Sequence, residues 1–201
     1  MQILPASNSS ALDAAIACLR SGGVVAHATE TCYGLACDLR NPEAVKKLFR
    51  IKNRPSSQTV SALFSSLKEA IQYCQFSERA LLVAQKHLPG PLTIVLPILP
   101  SAPPLYVTAD EVPATHIGIR VSPHPVALAL AQGFGSPIAT TSANSHGESN
   151  PYSAKDITEQ LSSLPPDVLI DSGTLPDAPP STVISMSGDE ITVLRQGSLH
   201  V

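Results

Sequence analysis

Two cations one residue apart, Lys52 and Arg54, end the most basic stretch of this 201-residue chain: six of its thirteen Lys and Arg residues lie between Arg40 and Arg54. Lys46, Lys47 and Arg50 suit a solvated helix face. Lys52 and Arg54 differ, because proline disfavours helical geometry in the residue before it and Arg54-Pro55 must end the helix. On an extended stretch beside Ser56-Ser-Gln-Thr59, the pair suits a small anion such as a phosphate. Farther along, Arg120 is the one permanently charged side chain between Val112 and Gly147. It lies in His116-Ile-Gly-Ile-Arg-Val121, where strand alternation puts Ile117, Ile119 and Val121 on one face and Gly118 and Arg120 on the other. A guanidinium in so apolar a stretch requires an acidic partner or a ligand anion; both readings stand, and Gly118 leaves room beside the cation for a ligand. Thr140-Thr-Ser-Ala-Asn-Ser145 follows an apolar strand and offers hydroxyl, amide and backbone donors through Ser142 and Asn144. The same residue types also form ordinary turns.

Other chemistries are poorly served. The four cysteines, Cys18, Cys32, Cys37 and Cys74, form no C-x-x-C pair and read as buried thiols of a reduced compartment rather than zinc ligands. A net charge of −3 argues against long nucleic acid as the main ligand. The N-terminus lacks a basic start followed by an apolar stretch, and no apolar run approaches a membrane span, so the expected location is cytoplasmic.

The elements that must position these residues alternate irregularly. Helices are expected from a Ser10–Asp13 capping box to Gly22, from an Asn41 cap through Phe49, at 66–73, 77–88 and 125–132, and from a Ser153–Asp156 cap to Leu161. Strands are expected at 24–28, 59–64, 92–96, 117–121, 137–141, 168–171, 182–186 and 191–194, with Thr29–Gly34 as a polar turn. His124, between two prolines, is expected to fix the turn before a helix, and Cys32 and Tyr33 to pack. The pattern favours one α/β domain over 1–201, with a twisted sheet of mixed parallel and antiparallel strands flanked by helices.

Several segments in order resemble one family. Ala28-Thr-Glu-Thr-Cys-Tyr-Gly-Leu35 resembles P-T-E-T-x-Y-G-L, Lys52-Asn-Arg-Pro55 resembles K-x-R-P, and Pro89-Gly-Pro-Leu-Thr93 resembles P-G-P-x-T. Ile117-Gly-Ile-Arg-Val121 with His124-Pro125, Thr141-Ser-Ala-Asn144 with Gly147, Ser181-Thr-Val183 and Leu194-Arg-Gln-Gly197 complete the set. The chain is similar to the YrdC/Sua5 family of threonylcarbamoyl-AMP synthases from about Gly22 to Gly197, in its short bacterial form. The resemblance implies a YrdC/RibB-like sheet around a deep basic cavity. It also implies a reaction of L-threonine, bicarbonate and ATP, with Mg2+ on the ATP, to give threonylcarbamoyl-AMP and pyrophosphate. The product would pass to the complex that places t6A on tRNA, with direct tRNA contact as a further possibility.

On this resemblance, ATP is held by Lys52, Arg54, Gln58, His116, Ser142, Asn144, Asn150 and Arg195, and threonine by Thr31, Arg120, Thr140 and Ser181. Leu63 falls among the threonine positions, where the family often has histidine, and it lacks that residue's hydrogen bonds. Positioning and charge neutralisation would carry the chemistry, with no covalent nucleophile and no protein-bound metal. Two alternatives remain: a non-catalytic protein that binds structured RNA, and a paralogue that activates another amino acid or carbamoyl donor.

Overall fold

The computed structural model describes residues 1–201 apart from the side chain of Ser187. Its strands are β1 (Gln2–Pro5), β2 (Val25–Ala28), β3 (Tyr33–Ala36), β4 (Ser61–Leu63), β5 (Leu92–Pro97), β6 (His116–Arg120), β7 (Ile138–Ser142), β8 (Val168–Asp171), β9 (Thr182–Ser187) and β10 (Glu190–Arg195). The helices are α1 (Ala11–Arg20), α2 (Pro42–Lys52), α3 (Leu67–Tyr73), α4 (Glu78–His87), α5 (Pro125–Phe134) and α6 (Ala154–Gln160). The strands form one sheet in the order β1-β8-β2-β3-β7-β4-β6-β5-β9-β10. It is mixed as expected: β1/β8, β2/β8, β4/β6 and β5/β9 are parallel, and the other pairings are antiparallel.

Successive side chains leave a strand on opposite faces, so this sheet has two different sides. Ala26, Leu35, Ala62, Ile94 and Ile119 point to one side, where they pack with buried residues of α2, α3, α4 and α6. Val25, Ala36, Leu63 and Ile138 point to the other and are covered by Ala15, Ile16 and Leu19 of α1 and Ala127, Leu130 and Phe134 of α5. Gly133 lets these two helices approach, because a Cβ there would lie 2.4 Å from Ile16 Cδ1. Helices α1 and α5 cover only part of their face. Beyond them the residues of β4, β5, β6, β7 and β9 on that face form the floor of a cavity.

Local signals explain most helix starts. Asn41 Oδ1 accepts from the amides of Glu43 and Ala44, His124 accepts from Val126 N at 3.3 Å, and Ser153 with Asp156 forms the expected capping box. Ser10 departs from expectation: its own backbone is helical and its side chain makes no cap bond. Two strands were not anticipated. The turn ends at Cys32 and Tyr33 already begins β3, while the N-terminal Gln2–Pro5 pairs with β8. Both are four residues long, too short for a periodicity to declare itself. Helix α2 runs to Lys52 and is closed by Asn53 in left-handed geometry, so Lys52 is helical and only Arg54 lies in extended chain.

Half of the basic run is ion-paired. Lys46 contacts Glu43 and Glu111, Lys47 bonds Asp167 at 2.7 Å, and Arg40 bonds Asp38 at 3.1 Å. No described helix is long and apolar enough to cross a membrane.

Candidate active site

Strand register lays the cavity floor out as rows. Arg120 is in line with Leu63 of β4, which is in turn in line with Ile138 of β7. Two residues back along β6, Gly118 is paired with Val95, and in the corresponding row of β4 and β7 Ser61 is paired with Thr140. Two residues farther, His116 stands at the strand's start. At about 3.3 Å per residue, Arg120 and His116 mark ends of the floor about 13 Å apart. The cavity has a volume of about 410 Å³. Its wall carries the guanidinium-bearing residues Arg54, Arg120 and Arg195, and the described lining residues include no Asp or Glu.

Arg120 has found an acidic partner while still reaching the cavity. Nη2 donates to Glu30 Oε1 and to Thr31 Oγ1, each at 2.7 Å. Glu30 also accepts from Ser122 Oγ, and the Ser122 hydroxyl accepts from His124 N at 3.1 Å. The Arg120 and Glu30 side chains are only 11% and 16% exposed. Burial pushes the Glu30 carboxyl up, but the charge of Arg120 and the bonds from Ser122 and Arg120 outweigh it and hold the group below its ordinary value. With both Nη2 hydrogens engaged and Nε buried without a partner, Nη1 is the donor left for a ligand. A two-point clamp on a ligand carboxylate by this arginine is therefore not preformed. Nor does Gly118 leave empty space: a Cβ there would lie 2.7 Å from Ser61 Oγ and 2.9 Å from Thr93 Cγ2. The room is taken by side chains of the neighbouring strands.

Thr31 is brought to Arg120 by a turn stitched with hydroxyls. Thr29 Oγ1 donates to Cys32 O at 2.7 Å and accepts from the amides of Thr31 and Cys32. Behind the turn, His27 is fully buried; Nδ1 donates to Ala28 O at 3.2 Å and Nε2 has no partner. Burial lowers its pKa to about 4, and the charges of His124 and Arg120 act in the same direction.

Lys52 is 1% exposed and lies behind the wall rather than on it. Its ammonium donates to Ser142 O, to Asn144 O at 2.9 Å and to Asn144 Oδ1 at 3.0 Å. Its carbonyl accepts from His146 N at 2.7 Å. The Asn144 side chain is likewise engaged, accepting from Ser142 Oγ at 2.6 Å and donating to Glu148 O at 2.6 Å. Lys52 and Asn144 thus hold the loop after β7 in shape, and all three ammonium hydrogens are used inside the protein. Burial, then the neighbouring Arg54 charge, pulls Lys52 down to about 7.

The remaining expected residues divide as follows. Thr31, Arg54, His116, Arg120, Thr140, Ser142, Asn150, Ser181 and Arg195 all line the cavity. Gln58 does not; its amide lies 3.4 Å from His146 at the surface. Leu63 does not either. It is 0% exposed and sealed beneath α1 and α5, although it stands beside Arg120 on the sheet. Arg195 closes one rim by donating to Ser181 O at 2.8 Å and Ser181 Oγ at 3.1 Å. Arg54 donates to Thr59 O at 2.7 Å, leaving Nε buried and unpartnered. Burial lowers the pKa of both arginines, and Arg120 adds to the effect at Arg195. The cavity wall also includes Cys32, Thr59, Ser61, Thr93, Val95 and Val183, which sequence reasoning missed. Alternation puts Ser61, Thr93 and Val95 on definite faces of their strands. Only the register shows that this is the face of Arg120.

The Sua5/YciO/YrdC family, described as "Telomere recombination", matches residues 17–197. A threonylcarbamoyl-AMP synthase of Xanthomonas campestris is 39% identical over 140 residues, covering 68% of this chain and 73% of the relative. The threonylcarbamoyl-AMP synthase of Bacillus subtilis is 34% identical over 186 residues, covering 92% of this chain and 53% of its own length. Among solved structures, P. abyssi Sua5 complexed with L-threonine superposes with a TM-score of 0.86 at 29% identity, over 98% of this chain and 57% of that one. The chain thus spans little more than half the length of these last two proteins. Family match and superposition both extend over most of the fold, and the chain belongs to the Sua5/YciO/YrdC family.

Proposed function

We propose that this chain joins L-threonine, bicarbonate and ATP into threonylcarbamoyl-AMP with release of pyrophosphate. The observation that carries the reading is the cavity itself: three arginines from separate parts of the chain face one space whose described lining has no acidic side chain. Such a space attracts anions. Arg120 takes the amino-acid carboxylate through Nη1, with Thr31 and Ser181 around the amino acid and Thr140 beside its nitrogen, where the carbamate forms. Arg54, with His116 and Asn150 on the same side, takes the triphosphate and nucleotide, and Arg195 closes over them.

The chemistry proceeds in two steps. The threonine nitrogen adds to the carbon of CO2, in equilibrium with bicarbonate and water, and loses a proton to give a carbamate. A carbamate oxygen then attacks the α-phosphorus; the bond to the β-phosphate breaks, and pyrophosphate leaves with its electron pair. No side chain needs to become covalently attached, and the protein's contribution is alignment and charge stabilisation. Mg2+ enters on the triphosphate in this reading, because the described lining offers it no carboxylate. The adenylate, a reactive mixed anhydride, is consumed by the transferase complex that modifies tRNA.

Incubation with ATP, bicarbonate and each amino acid in turn, with mass detection, tests the reading. The expected result is an adenylate and pyrophosphate that both depend on threonine. Another amino acid giving the adenylate in its place would overturn the substrate assignment. RNA binding without ATP turnover would overturn the reaction.

A further inference from the structure

Between the Arg120 end and the His116 end of the floor lies a row with no charge. It contains Gly118, Ser61 and Thr140, the last two paired across β4 and β7. Ser61 leans over Gly118, as shown by the 2.7 Å separation of its Oγ from a Cβ built there. Thr140 is 6% exposed, and no hydrogen bond within the described protein engages its hydroxyl or that of Ser61. Their neighbours are occupied: Thr93 Oγ1 lies 3.3 Å from Ser181 Oγ, and Ser142 donates to Asn144.

We infer that Ser61, together with Thr140, forms the subsite for the carboxyl group that bicarbonate contributes to the carbamate. This inference rests on the proposed reaction, which needs such a group between the amino-acid carboxylate and the α-phosphate. Position and chemistry agree. A carbamate is a planar anion with two oxygens, one of which must attack phosphorus. A cation at this point would hold the charge of that oxygen and blunt it as a nucleophile. Neutral hydroxyls donate to one oxygen, fix the plane and leave the other free. Gly118 keeps the floor low enough for Ser61 to reach in.

The test is pyrophosphate release by wild type and Ser61→Ala, with each substrate varied in turn and thermal melting as a check on folding. Loss of one hydrogen bond to an anion is expected to raise the half-saturating bicarbonate concentration about tenfold. The values for threonine and ATP should stay within about twofold, an asymmetry that a purely structural role for Ser61 does not produce. If the threonine value rises while that for bicarbonate is unchanged, Ser61 contacts the amino acid and the inference is wrong. An unchanged Ser61→Ala enzyme also overturns it, leaving the proposed reaction intact. A wild-type chain that forms no threonine-dependent adenylate overturns the reaction and this subsite together.

Discussion

Replacing Lys52 by methionine keeps the aliphatic stem and deletes an ammonium that holds three oxygens of the loop after β7. Two opposing effects follow. The loop loses bonds from a charged donor, each worth about 1.5–3 kcal/mol. The fold is also relieved of a buried charge whose pKa is lowered from 10.5 to about 7, a difference of about 5 kcal/mol between folded and unfolded chain. At pH 6 these terms partly cancel, and Lys52→Met should lie between wild-type stability and about 4 kcal/mol below it. The pH dependence separates them. Below the folded pKa of about 7, Lys52 is protonated in both states and the fold bears the whole burial penalty. Between there and 10.5 the unfolded chain keeps a proton that the folded chain has released, so wild-type stability rises with pH. The methionine variant has no such proton. Urea unfolding of both proteins at a series of pH values should therefore show wild type gaining, relative to the variant, by up to about 5 kcal/mol across that window. Hydrogen exchange at residues 142–148 should accelerate in the variant, and adenylate formation should fall as Ser142 loses its anchor. A stability difference that stays flat with pH, or an unchanged loop, would refute this account of Lys52.

At the other end of the floor, Arg120→Ala should abolish adenylate formation while ATP affinity, measured by calorimetry, changes less than about threefold, because the triphosphate is assigned to Arg54; normal turnover would remove Arg120 from the carboxylate role. His27, with a pKa lowered from 6.5 to about 4 by burial, stays neutral in the fold after the unfolded chain has taken up a proton. Stability is then fully present above pH 6.5 and falls by up to about 3 kcal/mol as pH drops through that window. A His27→Leu variant followed by urea unfolding should lack this acid-side slope, and a slope equal to that of wild type would contradict it.

Much of the fold could be read locally. The Asn41 and Ser153 caps, the proline-limited end of α2 and the alternation of His116–Val121 each depend on a few adjacent residues, and the structure agrees on which face of β6 carries Arg120. The motif-matched cations were also identifiable from their chemistry: three of the four expected line the cavity. Where reading failed, the cause was non-local. Strands β1 and β3 are recognisable only by their partners, β8 and β2. Leu63 and Ser61 leave β4 on the same face, yet one is sealed by α1 and α5 while the other lines the cavity.

Residue order by itself determined the inventory: a few arginines in apolar surroundings, hydroxyls in turns and on strand faces, and an alternating period that assigns each side chain a face. Tertiary structure decided who their neighbours are. Strand β4 lies between β7 and β6, neither adjacent to it in the chain, and this places Ser61 in the row of Gly118 and Thr140. Helix α2 ends against the loop after β7, which turns Lys52 inward onto three oxygens. Alternation has a period of two and carries no record of which strand pairs with which, or in what register. That information resides in the packing of distant segments, where the cost of burying a charge or leaving a donor unpaired selects the arrangement.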